Sequence, residues 1–155
     1  QLLGISEKPL FPTPFIVHGQ NEKRKLELKN YLQNILGFPE PIILHEQPSQ
    51  GKTILEKFEY YSAQSGIVFV LLTPDDVVVS NDELDEKKRR ARQNVIFELG
   101  YFLCLFGRHS GRVLLLHEGP IELPSDISGL IYIDIKDGIE ASGERIRKEV
   151  NHAIK

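Results

Sequence analysis

One glutamate, Glu98, lies within the most apolar helical pattern of the sequence, which we predict over about residues 91–106. At 100° per residue, Glu98 is about 60° from Val95 and about 40° from Phe102, at the margin of the apolar stripe. A carboxylate is rarely placed there without a partner, because its desolvation costs free energy. The pattern therefore predicts either a functional carboxylate or a structural one that pairs with a lysine or arginine.

Two polar residues accompany Glu98 on this predicted helix. Arg92 is near the helix start, where it can pair with a phosphate or a carboxylate, and Asn94 is one turn before Glu98 on the same face. A basic run precedes the helix, but acidic residues come directly before that run, which favours a solvated loop over a nucleic-acid surface. We expect Arg92, Asn94 and Glu98 to form a polar cluster.

Three histidines, His18, His45 and His117, each end a predicted strand at the same sheet edge. A metal site is conceivable there. However, metal ligands normally show tight local spacing such as HExxH, which the sequence lacks, so we predict no metal and interpret these residues as the polar rim of a crevice.

The segment Gly51 to Thr53, with the sequence Gly-Lys-Thr, resembles the end of a phosphate-binding P-loop. Glu46 stands where that loop needs its first glycine, and no GxGxxG follows the first strand, so neither nucleotide fingerprint is present. The free amides at this helix start can meet a phosphate, but a plain turn and helix cap explains the pattern equally well.

Short β-rich runs alternate with helical patterns along the chain, which is typical of parallel βαβ units. The predicted fold is α/β, a flavodoxin-like, doubly wound sheet of five parallel strands at residues 15–18, 42–45, 67–72, 112–117 and 130–135. Ligands bind outside the carboxyl ends of such strands, which places the site at residues 18–19, 45–51, 73–76 and 117–119.

The composition describes an ordinary globular domain of 155 residues with a formal net charge of −3 and one cysteine. We expect residues 15–155 to form the domain and the proline-rich residues 1–14 to be a linker from a missing N-terminal region, because the chain has no methionine. The near-neutral charge argues against direct nucleic-acid binding, and no apolar run reaches the length of a membrane span. The lone thiol favours a reducing, cytoplasmic compartment.

Four blocks of the sequence, at residues 42–59, 70–77, 91–100 and 122–133, resemble the TIR-like domain of bacterial anti-phage effectors. These are proteins of the CBASS and Pycsar systems, including TIR-STING fusions. The resemblance implies an NAD⁺ glycohydrolase with Glu98 as its catalytic residue. It implies further that residues 45–51 form a mobile loop over the substrate, and that the nicotinamide riboside pocket is lined by His18, Gly19, Asp75 and Asp76. The substrate-binding residues it implies are His18, Gly19, His45, Gln47, Gly51, Asp75, Asp76, Arg92 and Asn94.

The same resemblance implies that NAD⁺ is a substrate and that no metal or separate cofactor is needed. Expected partners are other TIR domains, through self-association, and a linked sensor domain that detects a cyclic nucleotide. Two alternatives stay open. The chain can be a non-enzymatic self-association module, or an enzyme like the nucleoside deoxyribosyltransferases, which also attack an N-glycosidic bond with a glutamate.

Overall fold

A parallel sheet forms the centre of the computed structural model, which describes residues 11–78, 88–127, 130 and 132–154. Its strands are β1 (Pro14–Val17), β2 (Ile67–Leu72), β5 (Val113–His117) and β6 (Tyr132–Asp134), in the order β1-β2-β5-β6. Residues 76–78 and 88–90 form a separate antiparallel pair, β3 and β4. Residues 1–10 of the predicted linker and part of the charged run before the third helix lie outside the described residues.

The prediction of five strands is wrong by one. Residues 42–45 contribute only an isolated parallel bridge, in which Ile42 pairs with Phe15. The chain then turns at once into a 3-10 helix, Leu44–Glu46, so no further strand residues can pair. The bridge lies beside β1, and with it the sheet positions follow the flavodoxin-like order that the sequence predicts.

Within the described ranges, four α-helices cover the sheet, and local capping explains where the first two begin. Asn21 accepts a hydrogen bond from the Arg24 amide at the start of α1 (Glu22–Asn30). Thr53 does the same for the Glu56 amide at the start of α2 (Ile54–Ser62). The remaining helices are α3 (Gln93–Phe106), which begins about two residues later than predicted, and α4 (Gly143–Ala153). Helix α1 continues as a π-helix, Tyr31–Leu36, and ends at Gly37, whose φ of 84° favours glycine.

Apolar cores lie on both faces of the sheet, as its continuously buried strand β2 requires. One core includes Leu28 and Leu32 of the first helix together with Ile146 and Val150 of α4. The other joins Phe15 of β1 to helices α2 and α3 through the rings of Phe58 and Phe102.

Helices α2 and α3 therefore pack on the same face, and each begins near the carboxyl edge of the sheet. Cys104 is exposed near the end of α3. In the described part of the chain, no helix is long and apolar enough to span a membrane.

Candidate active site

A cavity of about 360 Å³ opens at the carboxyl end of β1, between the first turns of α2 and α3. Its volume is within the range of small-molecule sites, roughly 300–1,000 Å³. Six residues that the sequence predicted for the site line it: His18, Gly19, His45, Arg92, Asn94 and Glu98. A slightly larger cavity, about 420 Å³, lies at the amino end of β5 and contains none of the predicted site residues.

Glu98 is the carboxylate of this cavity. Burial raises the pKa of Glu98 to about 7, and no neighbouring charge contributes to the shift. Among the described residues, Glu98 has no hydrogen bond and no ion pair, so the paired structural carboxylate that the sequence left open is not what the structure contains. An uncompensated carboxylate of this kind is suited to meet a positive charge on a ligand.

Two histidines meet at the cavity wall. The rings of His18 and His45 lie edge to face with centroids 5.1 Å apart. The Lys25 ammonium is 3.3 Å from His45 Nε2, so the ammonium donates and the imidazole nitrogen accepts. Burial, as the largest cause, lowers the pKa of His18, which therefore stays neutral at neutral pH.

Asp75 and Asp76 support the cavity wall, although they were predicted to line the pocket. Asp75 accepts hydrogen bonds from the Gln20 amide at 3.0 Å and from the Thr73 hydroxyl at 2.8 Å. A side chain at position 19 would collide with the Asp75 carboxylate, which explains why glycine occurs there. Asp76 forms an ion pair with Arg92, with 3.7 Å between Oδ1 and Nε.

The segment of residues 45–51 borders the cavity, but its predicted residues Gln47 and Gly51 do not line it. The Gln47 side chain donates to the Ile43 carbonyl at 3.4 Å, and Gly51 turns the chain with a φ of 74°. Ser49 of this segment and Lys52, which follows it, line the cavity instead.

Sequence reasoning missed Lys57, which also lines the cavity and is only 9% exposed. The signal was present, because Lys57 directly precedes Phe58 and lies four residues before Tyr61, on the buried face of α2. The other lining residues it missed are Phe15, Ile16, Leu44, Ser49, Lys52, Ile54 and Val95.

The third predicted rim histidine is separate from this cavity. His117 packs edge to face on Tyr132, and its Nδ1 is 2.8 Å from the Gly119 carbonyl. Beside it, Glu118 accepts from the Arg24 guanidinium at 3.2 Å and from Asn21 at 3.2 Å. In the part of the chain that the structure describes, no group of three or more potential ligands converges as a metal site would require.

Comparison with known proteins matches this chain to one family. Residues 14–137 match the family described as CAP12/Pycsar effector protein, TIR domain. The uncharacterized protein YuaY of Escherichia coli (strain K12) is 41% identical over 132 residues, which are 84% of this chain and 42% of that protein.

Two further proteins are similar to this chain. Protein tirC of Dictyostelium discoideum is 31% identical over 144 residues, 88% of this chain and 69% of that protein. The Pycsar effector protein PaPycTIR of Pseudomonas aeruginosa is 35% identical over 79 residues, 51% of this chain and 25% of that protein. The chain thus spans less than half the length of YuaY and of PaPycTIR.

Proposed function

Because the chain belongs to the TIR domain family of CAP12/Pycsar effector proteins, we propose that it cleaves NAD⁺ between nicotinamide and ribose. The observation that carries this proposal is Glu98, a partly buried carboxylate with no partner among the described residues, in a cavity at the carboxyl edge of the sheet. The proposed role is the effector domain of an anti-phage defence protein.

The reaction suits a site with a single carboxylate. Nicotinamide leaves NAD⁺ as a neutral molecule, so the leaving group needs no strong acid, and positive charge develops on the ribose as the bond breaks. An ionised Glu98 beside the ribose attracts this charge more strongly in the transition state than in the ground state, which is the condition for catalysis. Water then takes the place of nicotinamide on the ribose. Glycosidases usually employ two carboxylates, and here the second is unnecessary.

Neighbouring side chains contribute further polar groups to the cavity wall. The His18 imidazole is neutral and adjoins Gly19, whose lack of a side chain lets the Asp75 carboxylate pack against the wall. Asn94 lies one turn before Glu98 and supplies an amide for the ribose hydroxyls. Arg92, held by Asp76, completes the wall at the start of α3.

Activation by self-association is the second part of the proposal. Ile54 at the start of α2 is 81% exposed and Leu55 is 50% exposed, beside the segment of residues 45–51. Exposed apolar side chains next to a cavity are suited to contact another protein surface. We expect a linked sensor domain, responding to a cyclic nucleotide, to bring these surfaces together.

The test is nicotinamide release from NAD⁺ by the chain at high concentration with a crowding agent. We expect turnover by the wild type and a loss of at least 100-fold in kcat for Glu98→Gln, a change of the size found when one electrostatic group of an active site is removed. Glu59→Gln is the matched control, because it makes the same chemical change at an exposed position of α2. Equal activity of wild type and Glu98→Gln would refute the role of Glu98.

The exposed apolar residues favour a second candidate, a self-association module without catalysis. That function predicts association unchanged in Glu98→Gln and abolished by Ile54→Asp, with no NAD⁺ turnover even when the chain is assembled. The nucleoside-processing alternative predicts turnover of nucleosides and none of NAD⁺, so nucleosides belong in the same assay.

A further inference from the structure

Lys57 differs from the other buried polar side chains of the molecule. Arg24, 8% exposed, binds Glu118 and Glu27, and Lys25, 3% exposed, has Glu22 at 2.6 Å. Ser62 and Thr73 also donate hydrogen bonds. In the described residues, Lys57 alone of these buried side chains has neither a hydrogen bond nor an ion pair.

Lys57 lines the cavity, and its ammonium forms no ion pair with Glu98. Its Nζ retains accessible surface, since the one sealed and unpaired side-chain nitrogen of the described chain is Nε of Arg90. Lys57 is not within ion-pair distance of Glu98, and no cation offsets the effect of burial on the pKa of that carboxyl. A lysine that is only 9% exposed and has no anionic partner among the described residues is suited to a ligand that provides one.

The other cations of the cavity are already in contact with protein groups. Arg92 pairs with Asp76 at 3.7 Å. Lys52 donates to Gln50 Oε1 at 3.2 Å and lies over the Tyr60 ring, 4.5 Å from its centroid. Lys57 therefore remains as the cation available to an incoming anion.

We propose that Lys57 binds the diphosphate of the dinucleotide while Glu98 meets its nicotinamide riboside end. This inference rests on the proposed function for the identity of the substrate. NAD⁺ carries a positive charge at the pyridinium and negative charges at the diphosphate. The cavity offers an unpaired carboxylate on α3 and an unpaired ammonium on α2, which complement both ends. An ammonium is a compact point charge suited to phosphate oxygens.

The experiment compares two substrates that share the scissile bond, NAD⁺ and nicotinamide riboside, which lacks phosphate. In Lys57→Met we expect kcat/KM for NAD⁺ to fall roughly 10- to 100-fold, mainly through KM, because one charge-assisted hydrogen bond is lost. Nicotinamide riboside turnover stays unchanged. Lys57→Arg, which keeps the charge, restores most of the NAD⁺ activity. Lys148→Met, at an exposed position of α4, is the control.

A binding measurement separates this inference from the proposed function. We expect calorimetry to show that Lys57→Met weakens ADP-ribose binding by the same 10- to 100-fold, whether or not the wild type turns over NAD⁺. Lys57-dependent binding without any turnover would refute the proposed reaction and leave the phosphate contact standing. An equal loss for both substrates, unchanged ADP-ribose affinity in Lys57→Met, or no ADP-ribose binding to the wild type would overturn the Lys57 proposal.

Discussion

Two clusters of charged side chains lie at the carboxyl edge of the same sheet, and they are built on opposite principles. In the first, Arg24 is 8% exposed and has Glu118, Glu27 and the Lys136 carbonyl as partners, at 2.9–3.4 Å. In the cavity, Glu98 is partly buried and Lys57 is 9% exposed, yet neither has a partner among the residues described.

The difference indicates what each cluster is for. A buried charge whose hydrogen bonds are all made holds elements together. Here the Arg24 guanidinium joins α1 to the ends of β5 and β6, and its removal would leave its partners without a counter-charge. A buried charge without partners destabilises the free protein and becomes favourable only when a ligand arrives. Pairing, more than burial, separates the structural group from the functional one at this edge.

Of the substitutions that test this contrast, Arg24→Met is expected to change the stability of the fold most. Removing the guanidinium leaves Glu118 partly buried without its cation, so we expect the free energy of unfolding to fall by about 2–3 kcal/mol in urea titrations. Arg147→Met is the control, because its ion pair with Glu144 is exposed and its removal should leave the urea midpoint unchanged. A stability loss that is no larger for Arg24 than for Arg147 would contradict the structural role.

Glu98→Gln should raise the free energy of unfolding, whereas Arg24→Met should lower it. The pKa of Glu98 is raised from about 4.5 in the unfolded chain to about 7 in the folded one. The protonated side chain therefore costs no stability below pH 4.5, and the free energy of unfolding falls as the pH rises through 7 and the carboxylate ionises. The glutamine does not titrate. We expect this variant to be more stable than wild type by about 2–3 kcal/mol at pH 8 and equal to it near pH 4. Urea unfolding at both pH values measures this, and equal stability at pH 8 would mean that Glu98 is better solvated than the structure shows.

The pH dependence of NAD⁺ cleavage should reveal the same group. If the ionised carboxylate is the active form, kcat/KM rises about tenfold from pH 6 to pH 8, because a group with a pKa of about 7 ionises over that range. The lowered pKa of His18 moves the ionisation of that imidazole toward the acid end of this range, so the rise between pH 7 and pH 8 is assigned to Glu98. A profile that falls with pH would assign the activity to a protonated Glu98.

The smallest effect is expected from Lys57→Met on stability. Methionine is similar in length and carries no charge to desolvate, so we expect the free energy of unfolding to stay equal or increase by up to about 1 kcal/mol. The comparison with Arg24→Met is direct, because both replace a nearly buried cation by the same residue. A loss as large as that of Arg24→Met would show that Lys57 has a structural partner.

The sequence predicted the architecture where long patterns decide it. The apolar period of α3 and the continuous apolar run of β2 both appear as predicted, and the four blocks that resembled TIR-like domains fall within a family that the match over residues 14–137 confirms. The strand predicted at residues 42–45 was wrong, because this segment forms only one bridge before it enters a 3-10 helix. So few residues are too short a stretch for an alternating apolar pattern to identify a strand.

Within the site, prediction was limited by which way side chains point. Proximity to the strand ends correctly placed Asp75 beside the first loop, but its hydrogen bonds to Gln20 and Thr73 keep it behind the wall. Lys57 was not among the predicted residues: its place in α2 puts it on the inward face, but only the packing of α2 in the structure shows that it lines the cavity. Helix periodicity marks the inward face, and tertiary contacts decide which polar residue on it reaches a cavity.

The exposed thiol of Cys104 offers a way to observe α3 from outside. It is the one cysteine of the chain and lies six residues after Glu98 on the same rigid helix, roughly 9 Å along its axis. A spin label or fluorophore attached there needs no cysteine to be introduced or removed. If copies of the chain associate as proposed, distances between such labels would report how their α3 helices are spaced.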